Sequence, residues 1–524
     1  MPSDPVTQDR GVLGDRPQRV RAVPLATVAR VVGATAGGHA DVTGVTLRSQ
    51  AVRPGDFYAA LPGAKTHGAR YADDAARRGA VAFLTDPEGE PLCRAAGLPV
   101  LTVEQPRERL GAAAAEIYGR PGERLTTIGI TGTQGKTTVT FLAEAGLQGA
   151  GKTPAVIGTT GTRIAGDPVR SALTTPEAPD LHALLAVMVE RGVDICAMEV
   201  SSHALIKRRV DGVVFDVTTF LNLGRDHLDF HGDMDAYFEA KASLFTPERA
   251  RLAVVNVDDE YGRRLVERLE LPYETFSTTG RDADWRAERI EATSHSSSFV
   301  IVDPDGRRRE ASVPLVGSFN VSNALAAIAS LAAAGCPVDP ALKGIAACRP
   351  ISGRMESIDL GQPFGALVDY AHKPDALHAV LESVRPLATG RVIVVIGAGG
   401  DRDAGKRTLM GRVAAELADL VVVTDDNPRS EPPDAIRAAI LAGAHESGGA
   451  EIVEIGDRRA AIRHAVDIAR PGDCIVVAGK GHETGQDIGG VVHPFDDRIE
   501  LRAALSGLQE GHGDAGSGMD ETAP

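Results

Sequence analysis

The chain has no run of about 18 apolar residues, which excludes a membrane-spanning helix. Its first residues lack a continuous apolar core and carry Asp4, Asp9, Arg10 and Asp15, so no secretion signal is expected. Cysteine is scarce: Cys93, Cys196, Cys336, Cys348 and Cys474 are five in 524 residues. No two are close, and none sits in a Cys/His cluster with metal-ligand spacing. Reduced, mostly buried thiols in a cytoplasmic protein are therefore expected, not a disulfide framework. Positive charge is in deficit, with 56 Lys and Arg against 71 Asp and Glu, a net charge of −15. That argues against nonspecific binding to nucleic acid or anionic membrane but leaves room for a locally built phosphate site. No convincing internal repeat is visible.

What remains is ordinary globular material, 43% hydrophobic with a mean hydropathy of −0.07. At roughly 100–200 residues per domain the length suggests about three domains. Residues 1–20 are polar and proline-containing and read as a loose arm; 508–524 read as a disordered tail. Between them three β-branched runs end in glycine: Leu125–Ile130, Arg391–Ile396 before Gly397–Gly400, and Cys474–Ala478 before Gly479–Glu483. The first is followed by a helical stretch through Leu147. Val42–Leu47, Phe57–Leu61 and Val193–Ala197 are further strand-like runs. Such runs alternating with helical stretches predict parallel α/β layers, whose ligands bind beyond the carboxyl ends of the strands. Borders near Glu123 and Pro350–Gly353 give parts at 21–123, 124–350 and 351–507.

Gly132-Thr133-Gln134-Gly135-Lys136-Thr137-Thr138 lies between strand and helix, where backbone N–H groups and the helix N-terminus favour phosphate. Lys136 would reach the β/γ-phosphates of a nucleotide and Thr137 would offer a hydroxyl to Mg²⁺. The loop departs from the generic phosphate-loop spacing, because Ile130 stands where the first glycine belongs. Glu199 follows the run Val193–Ala197, a good place for a metal-binding carboxylate. Asp226, His227, Asp229 and His231 are close enough in sequence to form a metal site or, equally, a solvated polar loop. The glycine run at Gly397 lacks the last glycine of a dinucleotide fingerprint, because Arg402 occupies its place.

Thr131–Thr138 closely resembles the ATP loop of the Mur ligases and of the related folylpolyglutamate synthetases. The resemblance extends from about Leu47 to Asp487. It implies an α/β fold of three domains, with a central P-loop-type, mostly parallel ATPase sheet. An N-terminal α/β UDP-binding domain and a C-terminal Rossmann-like domain flank it. It implies that ATP phosphorylates a substrate carboxylate and that an amine then displaces phosphate. The run Glu199–His203, Asn222–Gly232 and Lys241–Phe245 match the family's central motifs. By that match Glu199 and His227 bind a second Mg²⁺, and Lys241 is an N6-carboxylysine whose carbamate supplies an anionic oxygen. Without the family, Lys241 reads as a surface lysine. The match also places Asn320 near adenine, Arg354 on ATP, Asp369 near the ribose, and His372 and Lys373 along the cleft. Gly317–Asn323 alone would read as a glycine turn with an Asn cap.

The details favour the members that add the third amino acid of the peptidoglycan precursor. Leu47, Ser49 and Gly55–Gly63 resemble their uridine pocket, although Gln50 replaces a common arginine. Thr174, Thr175, Ser201 and Arg209 match contacts to UDP-N-acetylmuramoyl-L-alanyl-D-glutamate. Alone, Thr174–Thr175 would be a turn before Pro176. Asp426, Asn427, Pro428 and Arg429 match the motif of members that add diaminopimelate, with Arg402, Gly479 and Glu483 as further contacts. The Arg429 fork suits the second carboxylate that lysine lacks; as bare sequence Arg429 is an exposed loop arginine. A monomer is the expected state. A lysine-adding ligase, a folylpolyglutamate synthetase and a noncatalytic nucleotide binder remain as alternatives.

Overall fold

The computed structural model describes residues 14–63, 65–169, 173–293, 296–349 and 351–513. The chain divides into two compact units: residues 1–223, 235–285 and 325–345 form one, and 224–234, 286–324 and 346–524 the other.

The first unit holds two sheets. The smaller is wholly parallel, in the order Gly44–Thr46, Asp56–Ala59, Ala82–Thr85, Val100–Thr102. Phe57, Leu84 and Leu101 pack from it against Leu110 and Ala113 of the helix Pro106–Ile117. In the larger sheet Thr126–Thr131 lies between Ile195–Glu199 and Val217–Phe220, parallel to both. Pro154–Gly158 extends it on one side, Ala253–Asn256 and Tyr273–Ser277 on the other, all parallel. Ile128, Ile130, Cys196 and Ala197 are fully buried, as expected of strands covered on both faces. The helices Lys136–Gly149 and Ala178–Glu190 supply cover.

In the second unit a sheet runs Glu356–Ser357, Gly365–Asp369, Cys474–Ala478, Val392–Ile396, Leu420–Val423, Glu451–Glu454. Only the edge strand Glu356–Ser357 is antiparallel. Val394, Val395, Val476 and Val477 at its centre are fully buried. Asp369 pairs with Ala478 at the carboxyl ends of adjacent strands. The loops after those ends carry Gly479–Glu483, Gly397–Arg402 and Asp426–Arg429.

The strand readings hold to within two residues at most ends. Cys474–Ala478 is as read, Arg391–Ile396 becomes Val392–Ile396, and the helix after the phosphate loop ends at Gly149 instead of Leu147. Val42–Leu47 is not one strand. Asp41–Val42 pairs antiparallel with Val23–Pro24, and Gly44–Thr46 enters the parallel sheet. Most of the arm, residues 1–13, and residues 514–524 of the tail lie outside the described residues. From Asp15 on the chain is anchored: Arg16 pairs with buried Asp56 at 2.7 Å, and the Gln18 and Arg19 N–H groups donate to the Glu190 carboxylate. At the other end the helix Asp497–Gly513 passes Leu508. Among the described residues no helix is long and apolar enough to cross a membrane.

Candidate active site

The phosphate loop is held from several sides. Gly135 has φ 86°, open to glycine without strain, and caps the helix Lys136–Gly149. Asn222 clamps the loop: its Oδ1 accepts from Gln134 N–H at 2.9 Å, its Nδ2 donates to Gln134 O at 3.3 Å, and its carbonyl accepts from Thr133 N–H. Thr133 shares a hydroxyl contact of 3.2 Å with Tyr237. Lys136 Nζ donates back to Gly132 O at 2.7 Å and Thr133 O at 3.2 Å, so it lies along the loop. Thr138 is buried in the first turn of the helix.

Glu199 is the last residue of its strand, level with Ile130, and is 1% exposed. Its carboxylate accepts from Thr137 Oγ1 at 2.9 Å, Thr159 N–H at 2.8 Å and Thr159 Oγ1 at 3.1 Å. A buried carboxylate needs such donors. Thr137 and Glu199 are hard oxygen donors touching one another beside the phosphate loop, a donor set that fits Mg²⁺. Lys241 is no surface lysine. It is 1% exposed, lies over the Tyr237 ring, and its Nζ donates to Gly132 O at 3.0 Å. It therefore reaches the same loop.

The residues matched to the nucleotide-sugar peptide are also brought together. Thr175 Oγ1 donates to Glu199 O at 2.8 Å and accepts from Ser201 N–H at 3.2 Å. Ser201 caps the short helix Ser202–Ile206. Thr174 shares a hydroxyl contact of 3.2 Å with Thr159. Arg209 donates to Glu177 at 2.8 Å and to Thr175 O at 3.4 Å. Glu177 also takes Arg107 at 3.1 Å, and both line a cavity of about 450 Å³ with Leu47, Ser49, Gln50 and Tyr58. So Glu177 joins the expected uridine pocket to the peptide-side arginine. Thr159, Arg107 and Tyr237 were not singled out in the sequence, and no motif marked them.

In the second unit His227 has φ 53° and its Nε2 lies 2.9 Å from Asp226. Burial alone would raise the Asp226 carboxyl, but the His227 hydrogen bond and the Lys373 ammonium at 2.5 Å hold it well below the usual range. Among the described residues no three His, Cys, Asp or Glu side chains are placed to hold a metal ion; the Asp229 side chain of the run 226–231 lies outside them. Asn320 is 2% exposed and its Nδ2 donates to Val316 O at 2.7 Å. Arg354 stacks over the Tyr370 ring at 4.7 Å, and Asp369 accepts from Met355 N–H at 2.7 Å. Burial pushes the Asp369 carboxyl up, with Arg354 pulling the other way. His372 is pushed well below the ordinary imidazole value by burial and by Lys373 and Lys406.

Several residues expected at the amino-acid site meet around Asn427. Its Nδ2 donates to Glu483 Oε2 at 2.8 Å, and Glu483 Oε1 takes Tyr370 Oη at 3.4 Å. Gly479 has φ 124°, and a Cβ there would stand 2.6 Å from Asp426 Oδ2, so the glycine admits that carboxylate. Pro428 is buried, and its carbonyl packs on Gly400. Arg429 is half-buried, not exposed; its Nη1 donates to Gly400 O at 2.6 Å. Arg402 is exposed, with a single long bond of 3.3 Å to Asp401 O.

Phosphate loop, buried strand-end carboxylate and lysine suit a nucleotide phosphate with its metal, and comparison with known proteins gives the class, an ATP-dependent ligase. Models of the Mur ligase family catalytic domain, middle domain and glutamate ligase domain match residues 41–118, 130–331 and 353–481. The UDP-N-acetylmuramoyl-L-alanyl-D-glutamate--2,6-diaminopimelate ligase of Streptomyces avermitilis is 55% identical, over 94% of this chain and 98% of its own length. That of Corynebacterium glutamicum is 49% identical, over 91% and 94%. A solved structure of an enzyme of this name superposes with a TM-score of 0.65 at 33% identity, covering 90% of this chain and 96% of the other. A MurF ligase of Thermotoga maritima, solved with ADP, shares the fold at 18% identity and a TM-score of 0.62, over 90% of this chain and 99% of its own. The chain belongs to the Mur ligase family, with its three-domain α/β fold.

Proposed function

We propose that this chain is the ligase that joins diaminopimelate to the D-glutamate of UDP-N-acetylmuramoyl-L-alanyl-D-glutamate, with ATP, in cytoplasmic peptidoglycan precursor synthesis. The carrying observation is the convergence of Thr137, Glu199 and Lys241 on the phosphate loop. Relatives of 49–55% identity bear that enzyme's name, which supports the choice of substrates. The proposed borders near 123 and 350 are supported by three family models that fall within them.

A carboxylate is a poor electrophile until it is made a mixed anhydride. Its oxygen attacks the γ-phosphorus and the bond to ADP breaks. The amine nitrogen then attacks the carbonyl carbon, the bond to the phosphate oxygen breaks, and phosphate leaves while the nitrogen loses a proton. The loop N–H groups and Lys136 would hold the nucleotide phosphates in line. Mg²⁺ on Thr137, Glu199, His227 and a carbamylated Lys241 would offset the negative charge gathered there. Asn320, Arg354 and Asp369 would seat the nucleoside. Leu47 and Ser49 would take the uridine end, and Thr174, Thr175, Ser201 and Arg209 the peptide. Arg209 must be shared between Glu177 and a substrate anion. Arg402, Asn427, Arg429 and Glu483 would take the far end of diaminopimelate, with Asp426, Pro428 and Gly479 shaping that pocket.

Phosphate release is the direct test. It should require ATP, the nucleotide-linked dipeptide and diaminopimelate together. ATP binding with no turnover on any amine would leave only a nucleotide-binding protein.

A further inference from the structure

Lys480 belongs to none of the roles above, yet it is fully buried beside the amino-acid site. A lysine is almost never fully buried unless its charge is met. Its Nζ donates to Asn427 Oδ1 at 2.9 Å and lies 3.5 Å from Glu483 Oε2 and 4.0 Å from Asp426 Oδ1. We infer that Lys480 is a positioning residue of this site. It orients the Asn427 amide and balances one of two carboxylates, leaving one negative charge for a single incoming ammonium. The inference rests on the proposed diaminopimelate site and adds to it what prepares the pocket.

The amide orientation follows from donor chemistry. An ammonium can only donate, and the Asp487 N–H also donates to Asn427 Oδ1, at 3.0 Å. Two donors fix that atom as the oxygen, so the Asn427 NH₂ faces Glu483 Oε2. Glu483 is thereby held on one oxygen by Asn427 and on the other by Tyr370. The charge count runs the same way. Asp426 and Glu483 contribute two negative charges and Lys480 one positive. Nearby Arg458 adds nothing to the balance, because fully buried Asp497 takes it with two bonds of 2.7 Å. Around Lys480 one carboxylate is left unbalanced, which suits one ammonium of an amino-acid substrate, while Arg402 and Arg429 would take its carboxylate. Without Lys480 the Asn427 oxygen would keep only the Asp487 N–H, and Asp426 and Glu483 would lose the cation they share.

The test is steady-state kinetics on the full chain for wild type, Lys480→Met and Lys480→Gln, with KM measured separately for all three substrates. Loss of a charged hydrogen bond should raise KM for diaminopimelate by about ten-fold or more in Lys480→Met. Lys480→Gln, which still offers an N–H to Asn427, should fall between Met and wild type. KM for ATP and for the nucleotide-linked dipeptide should stay within about two-fold. An unchanged KM for diaminopimelate in Lys480→Met overturns the inference. So do equal losses for all three substrates or failure of both variants to fold, because Lys480 is then a structural cation only. A wild type that does not use diaminopimelate overturns the proposed function itself, and that result is read before any variant is made.

Discussion

Arg429 sits at φ 54°, a conformation that costs a non-glycine residue roughly 1–2 kcal/mol. His227, Met355 and Asp401, each in or beside an expected site residue, share it. At Arg429 the backbone is held on both sides: its N–H donates to Asp487 O and its carbonyl accepts from Gly489 N–H. The strain is met by local bonding, and the guanidinium is aimed at Gly399 and Gly400. Arg429→Ala should lower kcat/KM for diaminopimelate by roughly 30-fold or more, since it leaves a ligand carboxylate without its partner. KM for ATP should not move; a parallel loss for ATP would place Arg429 elsewhere. Lys241→Met should abolish most turnover. It should also lower stability by about 1 kcal/mol, because the Gly132 carbonyl loses one of its two lysine donors and keeps Lys136. Thermal melting and turnover read the two effects separately, and full activity in this variant would remove Lys241 from the site. Glu199, Lys241 and Arg429 were legible as residues because they stand in motifs. Their partners were not. Thr159 reaches Glu199 across 40 residues and Tyr237 reaches Thr133 across 104, and no local pattern records such contacts.

At the scale of elements, buried parallel strands were the easiest to read. Val392–Ile396 and Cys474–Ala478 are uninterrupted apolar runs because both faces are covered, so their ends show in composition. Asp41–Thr46 was harder. The chain changes partner at Thr43, whose N–H donates to Gly55 O, and a change of partner leaves no mark in hydrophobicity. A strand end also explains one glycine. A Cβ on Gly158, at the end of Pro154–Gly158, would lie 2.3 Å from Glu199 Oε1. That atom ends a side chain and can move, so the fold should survive Gly158→Ala while the carboxylate is displaced. We expect kcat to fall by about ten-fold or more, with Tm lowered by no more than about 4 °C. A large loss of Tm with kcat intact would mean that Gly158 serves the sheet and not the carboxylate.

For the molecule as a whole, acid stability carries a clear expectation. His182 on the helix Ala178–Glu190 is fully buried. Burial pushes its imidazole down to about 4 from the ordinary 6.5, although a contact of 3.1 Å to Asp211 O works the other way. Because the folded value lies below the unfolded one, the unfolded chain takes up the proton first. This contribution is therefore intact above pH 6.5 and is lost as pH falls from 6.5 toward 4. The size is roughly 3 kcal/mol. Melting from pH 7.5 down to 4.5 should show an acid loss that His182→Asn makes shallower; an unchanged slope would assign the loss to other groups. The α/β order of the whole chain was readable from three glycine-ended strands, all of which are parallel to their neighbours. Which loops meet was not readable. Strand order puts Cys474–Ala478 between Gly365–Asp369 and Val392–Ile396, and that crossover brings Lys480 to Asn427.

The identity of the amine separates this ligase from its lysine-adding relatives. Equal concentrations of meso-diaminopimelate, LL-diaminopimelate and lysine should compete for the wild-type chain in the presence of ATP and UDP-N-acetylmuramoyl-L-alanyl-D-glutamate, with products resolved by mass. Diaminopimelate products should dominate by about 100-fold or more over the lysine product, and Arg429→Ala should narrow the gap. A lysine product equal to or greater than the diaminopimelate products in the wild type would contradict the proposed function.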